Sequence, residues 1–398
     1  MEIKIFPAKS GDSFLINYGS NLENHILIDG GFIETYDNFI KKELLKINSR
    51  NEKLNLLIIT HVDRDHISGI LKLLKENGNS KEYKIIKIDE IWHNSYRHLQ
   101  FDYSENIESG EKEKQNQILK SFYLQINNEN SSKKGKISIE QGSMLSSYIL
   151  ENNYNWNNKF DNNAVLMDYL KKISIDENLN IIVLSPSKDT LEKLKFKWKN
   201  ELIKKKSSFK FEENKLFDDA YEYYLIRESN KKYTRSKKCS LKKKIDINEI
   251  KEYEVDKRIE NESSIAIIIE YKEKKMLFLG DSNPEVIEKS LKSMKLMGYE
   301  TNFDLVKLSH HGSLSSNTHS LINLIDSKNW IFSGNGENDN PDIDLIKMIL
   351  KLKKEYFKNF IFNYKLNFLD SLTSDISMKE YNYNIISSVE NKDICIKI

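Results

Sequence analysis

Ten residues, Thr60-His61-Val62-Asp63-Arg64-Asp65-His66-Ile67-Ser68-Gly69, place two imidazoles and two carboxylates within six consecutive positions. These are the ligand types a hydrolytic metal needs, because imidazole and carboxylate bind a divalent cation and leave positions for water. A capping aspartate at a helix start would account for one carboxylate, but not for His61, Asp63, Asp65 and His66 together. The apolar run Leu54-Asn55-Leu56-Leu57-Ile58-Ile59 reads as a buried strand, and Ile70-Leu71-Lys72-Leu73-Leu74 reads as a helix. The four ligands are therefore expected on the loop where a strand hands over to a helix.

Two later strand ends carry similar chemistry. Met276-Leu277-Phe278-Leu279 runs into Gly280-Asp281, and Leu305-Val306-Lys307-Leu308-Ser309 runs into His310-His311-Gly312-Ser313. Ligands in layered α/β proteins gather at such strand ends. A Gly-Asp pair is also a common turn, so Asp281 by itself would not mark a site. Two adjacent histidines before a glycine are harder to explain as structure alone.

The order of these motifs resembles the metallo-β-lactamase superfamily, whose general form His-x-His-x-Asp-His appears here with Asp63 in place of the second His. That variant, with His310-His311-Gly312-Ser313, is similar to the soluble hydrolase domain of bacterial competence DNA-uptake proteins and its stand-alone relatives. The opening segments Gly11-Asp12-Ser13-Phe14-Leu15-Ile16 and Ile26-Leu27-Ile28-Asp29-Gly30-Gly31, and the later Ser263–Ile269 and Trp330–Asn335, fit the same pattern. Asn340-Pro341 departs from it, since the family usually has His-Pro there. The matching blocks are roughly residues 1–100 and 260–350.

The resemblance implies an α/β four-layer αββα sandwich with two mixed sheets between helices, and a dinuclear centre at one edge. It implies His61, Asp63 and His93 on a first ion, Asp65, His66 and His310 on a second, and Asp281 as the bridge. His93 is included because it follows the expected strand Ile85–Trp92; His98 is a poorer candidate. Of the adjacent pair, His310 is preferred as ligand, with His311 at the substrate or supporting a ligand. Two ions a few ångströms apart can share a bridging hydroxide, and Asp65 and Asp281 are the expected catalytic carboxylates. Zinc is the expected metal, and Asp63 makes manganese plausible as well. Lys307 and Ser313, with Ser264 as a weaker case, are candidates for substrate contact. His25 and His319 read as ordinary surface or loop residues.

Composition bounds the rest. The chain has 398 residues, enough for a large core, and 62 Lys plus Arg against 60 Asp plus Glu, so its charge neither demands nor forbids a nucleic acid. Its two cysteines, Cys239 and Cys395, form no motif and suit a reducing cytoplasm. Met1–Phe6 alternates as a strand rather than as a signal peptide, and no apolar run approaches the roughly 20 residues that cross a bilayer.

The chain reads as one domain, 1–398, with insertions near 101–140 and 200–257 and a C-terminal extension near 355–398. The second insertion carries Lys231-Lys232-Tyr233-Thr234-Arg235-Ser236-Lys237-Lys238, either a solvated run or a phosphate-backbone contact. The expected function is a metal-dependent hydrolase of phosphodiesters, including a nuclease. The alternatives are a hydrolase of small esters, lactones or nucleotides, and a component of a multi-gene defence system gated by a partner protein.

Overall fold

The computed structural model describes residues 1–99, 145–205, 253–353, 356–373 and 375–398. Most of both expected insertions, including the basic stretch 231–244, lies outside the described residues.

The first sheet takes β1 (Glu2–Ile5), β2 (Phe14–Tyr18), β3 (Asn24–Ile28), β4 (Lys53–Ile58) and β5 (Ile91–Trp92). The second takes β6 (Ile173–Ser174), β7 (Leu179–Ser185), β8 (Ala266–Tyr271), β9 (Lys274–Phe278), β11 (Leu305–Lys307), β13 (Asn329–Phe332), β14 (Lys358–Phe362) and β15 (Tyr383–Ser387). Between them in sequence, β10 (Asn302–Phe303) and β12 (Asp326–Ser327) form a small parallel pair. The last strand, β16 (Ile394–Lys397), returns to the first sheet, whose order is β16-β1-β2-β3-β4-β5. The second sheet is ordered β15-β14-β13-β11-β9-β8-β7-β6. The segment from 355 onward, expected as an extension, thus supplies strands to both sheets.

Alternation along the strands builds three apolar layers. In β4, Leu57 faces an outer cluster while Leu56 and Ile58 face the interior between the sheets. In β7, Ile181 and Val183 face the same interior while Ile182 and Leu184 face the opposite outer cluster. The first sheet is covered by α1 (Lys41–Ser49), α2 (Arg64–Asn77) and α3 (Leu145–Glu151), through residues such as Leu44, Ile70 and Ile149. After α4 (Lys188–Lys205) and α5 (Ile259–Glu262), the second sheet is covered by α6 (Pro284–Leu296), α7 (His319–Leu324) and α8 (Ile343–Leu352), through Leu291, Ile322 and Ile346. The result is the expected four layers, helix–sheet–sheet–helix.

Three local expectations need correction. The helix after the ligand motif begins at Arg64 rather than Ile70, so Asp65 and His66 sit in its first turn. Only Ile91–Trp92 of the predicted strand 85–92 is regular, although Leu54 still pairs by backbone with Lys87 and Asp89. His25 is buried in β3, held by Asn17 at 2.7 Å and Glu52 at 2.9 Å, so it is not a surface residue.

Candidate metal centre

The site lies where strands of both sheets end on the same side. β3, β4 and β5 are parallel neighbours in the first sheet, and β9 and β11 are parallel neighbours in the second. Asp29 follows β3, His61 follows β4, His93 follows β5, Asp281 follows β9 and His310 follows β11. The amide of Ile265 donates to the carbonyl of Thr60 at 2.8 Å, tying the two sheets together at this point.

Close backbone packing fixes α2 over the motif. Gly30 donates to the carbonyl of His66 at 2.8 Å, and Gly69 donates to the carbonyl of Gly31 at 2.9 Å. A side chain at Gly69 would put a carbon 2.0 Å from the carbonyl oxygen of Gly30. The helix can approach only because that position is bare.

Four imidazoles present Nε2 to one carboxylate. The distances to Asp281 are 3.8 Å from His61, 3.7 Å from His66, 3.9 Å from His310 and 3.5 Å from His311. Two ligands at about 2.1 Å in tetrahedral arrangement stand about 3.4 Å apart, so this spacing is close to what a shared ion requires. The outer carboxylates follow the same pattern. Asp63 lies 3.9 Å from His61 Nε2, and Asp65 lies 3.6 Å from His311 Nε2. One atom each from Asp12, His66, Asp281 and His311 falls within 4.8 Å of the other three.

Each ring is held at its other nitrogen. His66 Nδ1 donates to Asp29 at 2.8 Å, His311 Nδ1 faces Asp12 at 3.3 Å and His310 Nδ1 faces Asp256 at 3.3 Å. His61 Nδ1 meets the hydroxyls of Thr60 at 3.0 Å and Ser264 at 3.4 Å. A carboxylate on Nδ1 fixes the tautomer that leaves a lone pair on Nε2, which is the state a metal takes. Asp29 is itself fixed by the amide and hydroxyl of Thr60, at 2.8 and 2.7 Å.

The electrostatics suit a bound cation. His61 Nε2, His66 Nε2 and Asp281 Oδ1 are buried and make no hydrogen bond with a described residue. Such groups are costly unless something binds them. Burial, with Asp65 beside it, pushes the Asp63 carboxyl up to about 7. Burial would raise Asp281 too, but His311, His66 and His310 hold it well below the usual range. Burial opposes charge on His311, yet Asp281 and Asp12 raise it to about 9. His66 is likewise raised well above its ordinary value, against burial, by Asp281 and Asp29. His61 goes the other way, pushed down to about 3 by burial and the charge of His66. The carboxylates thus favour positive charge on His66 and His311, the kind of charge an N- and O-ligated divalent ion would supply.

Asp63 occupies the N-cap position of α2 with extended backbone but makes no capping hydrogen bond with its side chain. Its carboxylate is turned to His61 instead. His310 and His311 both have left-handed backbone, with φ of 48° and 57°. That conformation costs a non-glycine residue of order 1 kcal/mol or more. Asn317 braces it by accepting from the Ser309 amide at 3.0 Å and donating to the carbonyls of Ser309 and Ser313 at 2.8 and 2.7 Å.

Seven of the expected site residues thus converge: His61, Asp63, Asp65, His66, Asp281, His310 and His311. His93 stands at the end of β5, the strand next to β4, where Ile59 donates to the carbonyl of Trp92 at 2.9 Å. Its described contacts are with Asn157, which accepts from its amide at 2.9 Å, and with the Trp156 ring stacked 6.1 Å away. Ser313 meets Ser315 through its hydroxyl at 2.8 Å. Lys307 is displaced from its expected role at the substrate. It is fully buried, ion-paired with Asp12, and donates to the carbonyl of Gly280 at 3.0 Å. Asp12, Asp29, Asp256 and Asn317 support the site without a motif of their own; the sequence marks only Gly11-Asp12 and Asp29-Gly30-Gly31, within the opening segments.

The metallo-beta-lactamase superfamily model matches residues 7–126, a span that includes Asp12, Asp29, the His61–His66 motif and His93. Members of that superfamily are in general hydrolases that bind divalent metals. No curated protein matches the chain. Among the described residues, no helix is long and apolar enough to cross a membrane. The chain folds as a mixed α/β protein consistent with the metallo-beta-lactamase fold, and its His/Asp cluster could hold metal.

Proposed function

We propose that this chain is a hydrolase of phosphodiesters working with two divalent ions, zinc or manganese. The observation that carries the reading is the convergence of four Nε2 atoms on Asp281, three of them backed by a carboxylate on Nδ1. Asp281, which all four rings face, would be a shared ligand. His61 and Asp63, with His93 as a further candidate, would hold one ion; Asp65, His66 and His311 would hold the other, with His310 at the rim. Bound ions would supply a water acidic enough to lose its proton near neutral pH, and positive charge for the entering and leaving oxygens. The chain's own work is to hold the imidazoles in one tautomer, through Asp29, Asp12 and Asp256, and to keep bulk water away from all but the outer edge. The phosphodiester as substrate draws on the motif resemblance to competence-type hydrolase domains.

The test uses the purified chain loaded with zinc or manganese. Plasmid DNA, bis(p-nitrophenyl) phosphate and p-nitrophenyl acetate are offered in parallel, with Asp281→Asn as the control. Metal-dependent cleavage of the diester that disappears in the variant is expected. Turnover of the acetate alone would replace the phosphodiester reading with a carboxyl-ester one. A metal-loaded protein that cleaves nothing would sink the hydrolase reading for the isolated chain.

A further inference from the structure

The mouth of the cluster is defined by exposure. His61, His66, Asp65, Asp281, His311 and Asp12 have side chains no more than 7 % exposed. Asp63 and His310 rise to 22 and 18 %, and Arg258 beside them to 41 %. Of these residues, Asp63, His310 and Arg258 are the ones open to an incoming substrate.

Arg258 is held rigidly at that point. Its Nε donates to both oxygens of Asp256 at 3.1 Å and its Nη2 donates to Oδ2 at 2.8 Å. Asp256 is fixed in turn by the Arg258 amide at 3.0 Å and by Asn261 at 2.8 Å. Nη2 also lies against the His310 ring, 3.0 Å from Nε2 and 3.3 Å from Nδ1. Nη1 makes no hydrogen bond with a described residue. One edge of the guanidinium is spent on Asp256; the Nη1–Nη2 edge is the other that the partly exposed Arg258 can offer.

Nη2 is nearly equidistant from the two ring nitrogens, so it lies over the His310 ring and leaves the Nε2 lone pair to a metal. The outer edge of the guanidinium, Nη1 with Nη2, is therefore a two-donor fork beside the cluster. That edge matches two oxygens of a tetrahedral phosphoryl group, which arginine binds in a fixed planar fork. The carboxylates that would repel such an anion, Asp63 and Asp281, are the ones the metals would neutralise.

We propose that Arg258 is the substrate-binding residue for the phosphoryl oxygens. This rests on the hydrolase reading for its substrate class, but it makes a separate claim about anion binding. The test is calorimetric binding of inorganic phosphate to the metal-loaded and metal-stripped protein, for the wild type, Arg258→Gln and Arg258→Lys, with bound metal measured in each. Loaded wild type should bind phosphate about tenfold or more tighter than loaded Arg258→Gln. Arg258→Lys should fall between them, since it keeps the charge and loses the fork. Metal content should be equal in all three. With the diester, KM should rise in Arg258→Gln while kcat changes little, and any acetate turnover should be untouched. Equal phosphate affinity in wild type and Arg258→Gln would overturn the proposal, as would loss of metal from the variant. A fall in phosphate affinity without any diester turnover would uphold Arg258 and refute only the hydrolase reading.

Discussion

Replacing Asp29 by Asn should damage either the metal centre or the fold, and the hydrogen bonds say why. Oδ1 accepts from the Thr60 amide; Oδ2 accepts from the Thr60 hydroxyl and from His66 Nδ1. The residue is wholly buried, so no water can substitute. An asparagine has one acceptor oxygen where the aspartate has two. If its oxygen stays on the Thr60 amide, its NH2 faces His66 Nδ1 and forces the proton onto Nε2. The lone pair aimed at Asp281 is then gone, and metal affinity should drop about 10–100-fold, or about 1.4–2.8 kcal/mol. If the amide turns over, His66 keeps its tautomer, but the NH2 confronts the Thr60 N–H. A buried amide without an acceptor then costs about 1–3 kcal/mol of stability. Chelator-competition titration of metal and urea unfolding of the metal-free protein separate the two outcomes. A variant within threefold of wild-type metal affinity and within about 0.5 kcal/mol of its stability would refute the reasoning.

Three further outcomes follow from the same geometry. His311 is raised to about 9 from an ordinary 6.5, so the stability it gives the metal-free protein is full below pH 6.5 and is lost as pH rises through 9. Asp63, raised to about 7, has the same sign: what it contributes is present at low pH and is lost as pH rises through 7. Thermal unfolding between pH 6 and 9.5 should therefore show the metal-free protein weakening with pH, whereas stabilisation by added metal should grow, because binding displaces these protons. Gly69→Ala drives a carbon against the Gly30 carbonyl and should cost about 1–3 kcal/mol in urea unfolding, with weaker metal binding because His66 shifts with α2. Lys307→Met leaves buried Asp12 with His311 as its one remaining close cation among the described residues and should cost about 1–3 kcal/mol, part of which an added Asp12→Asn restores; a cost below about 0.5 kcal/mol would show that the pair is not felt as a charge.

What could be seen in the sequence was whatever is written locally. The strand Leu54–Ile59, the spacing His61–His66 and the strand ends at Asp281 and His310 each occupy a few consecutive residues; the types in His61–His66 alone suggest metal ligation, while Asp281 and His310 gain that role only through the family resemblance. The supporting carboxylates are not local. Asp12 meets His311 and Lys307 across nearly three hundred residues, and Gly-Asp-Ser on its own is indistinguishable from a turn. Lys307 looked available because charge on a strand usually faces water; only the fold shows that Asp12 lies beneath it. Asp256 and Arg258 adjoin a lysine-rich stretch, where one more charged pair carries no signal. His25 was misjudged for the same reason, since its partners Asn17 and Glu52 become neighbours only through pairing of β2, β3 and β4.

The ligands come from both sheets, His61 and His66 from the first and Asp281, His310 and His311 from the second. Unfolding must part those sheets across the apolar layer that contains Ile58 and Phe278. An ion held from both sides would have to leave before they separate. Its escape rate would then govern how fast the protein yields to heat or to a protease, and added chelator would shorten its lifetime more than the change in equilibrium stability alone suggests.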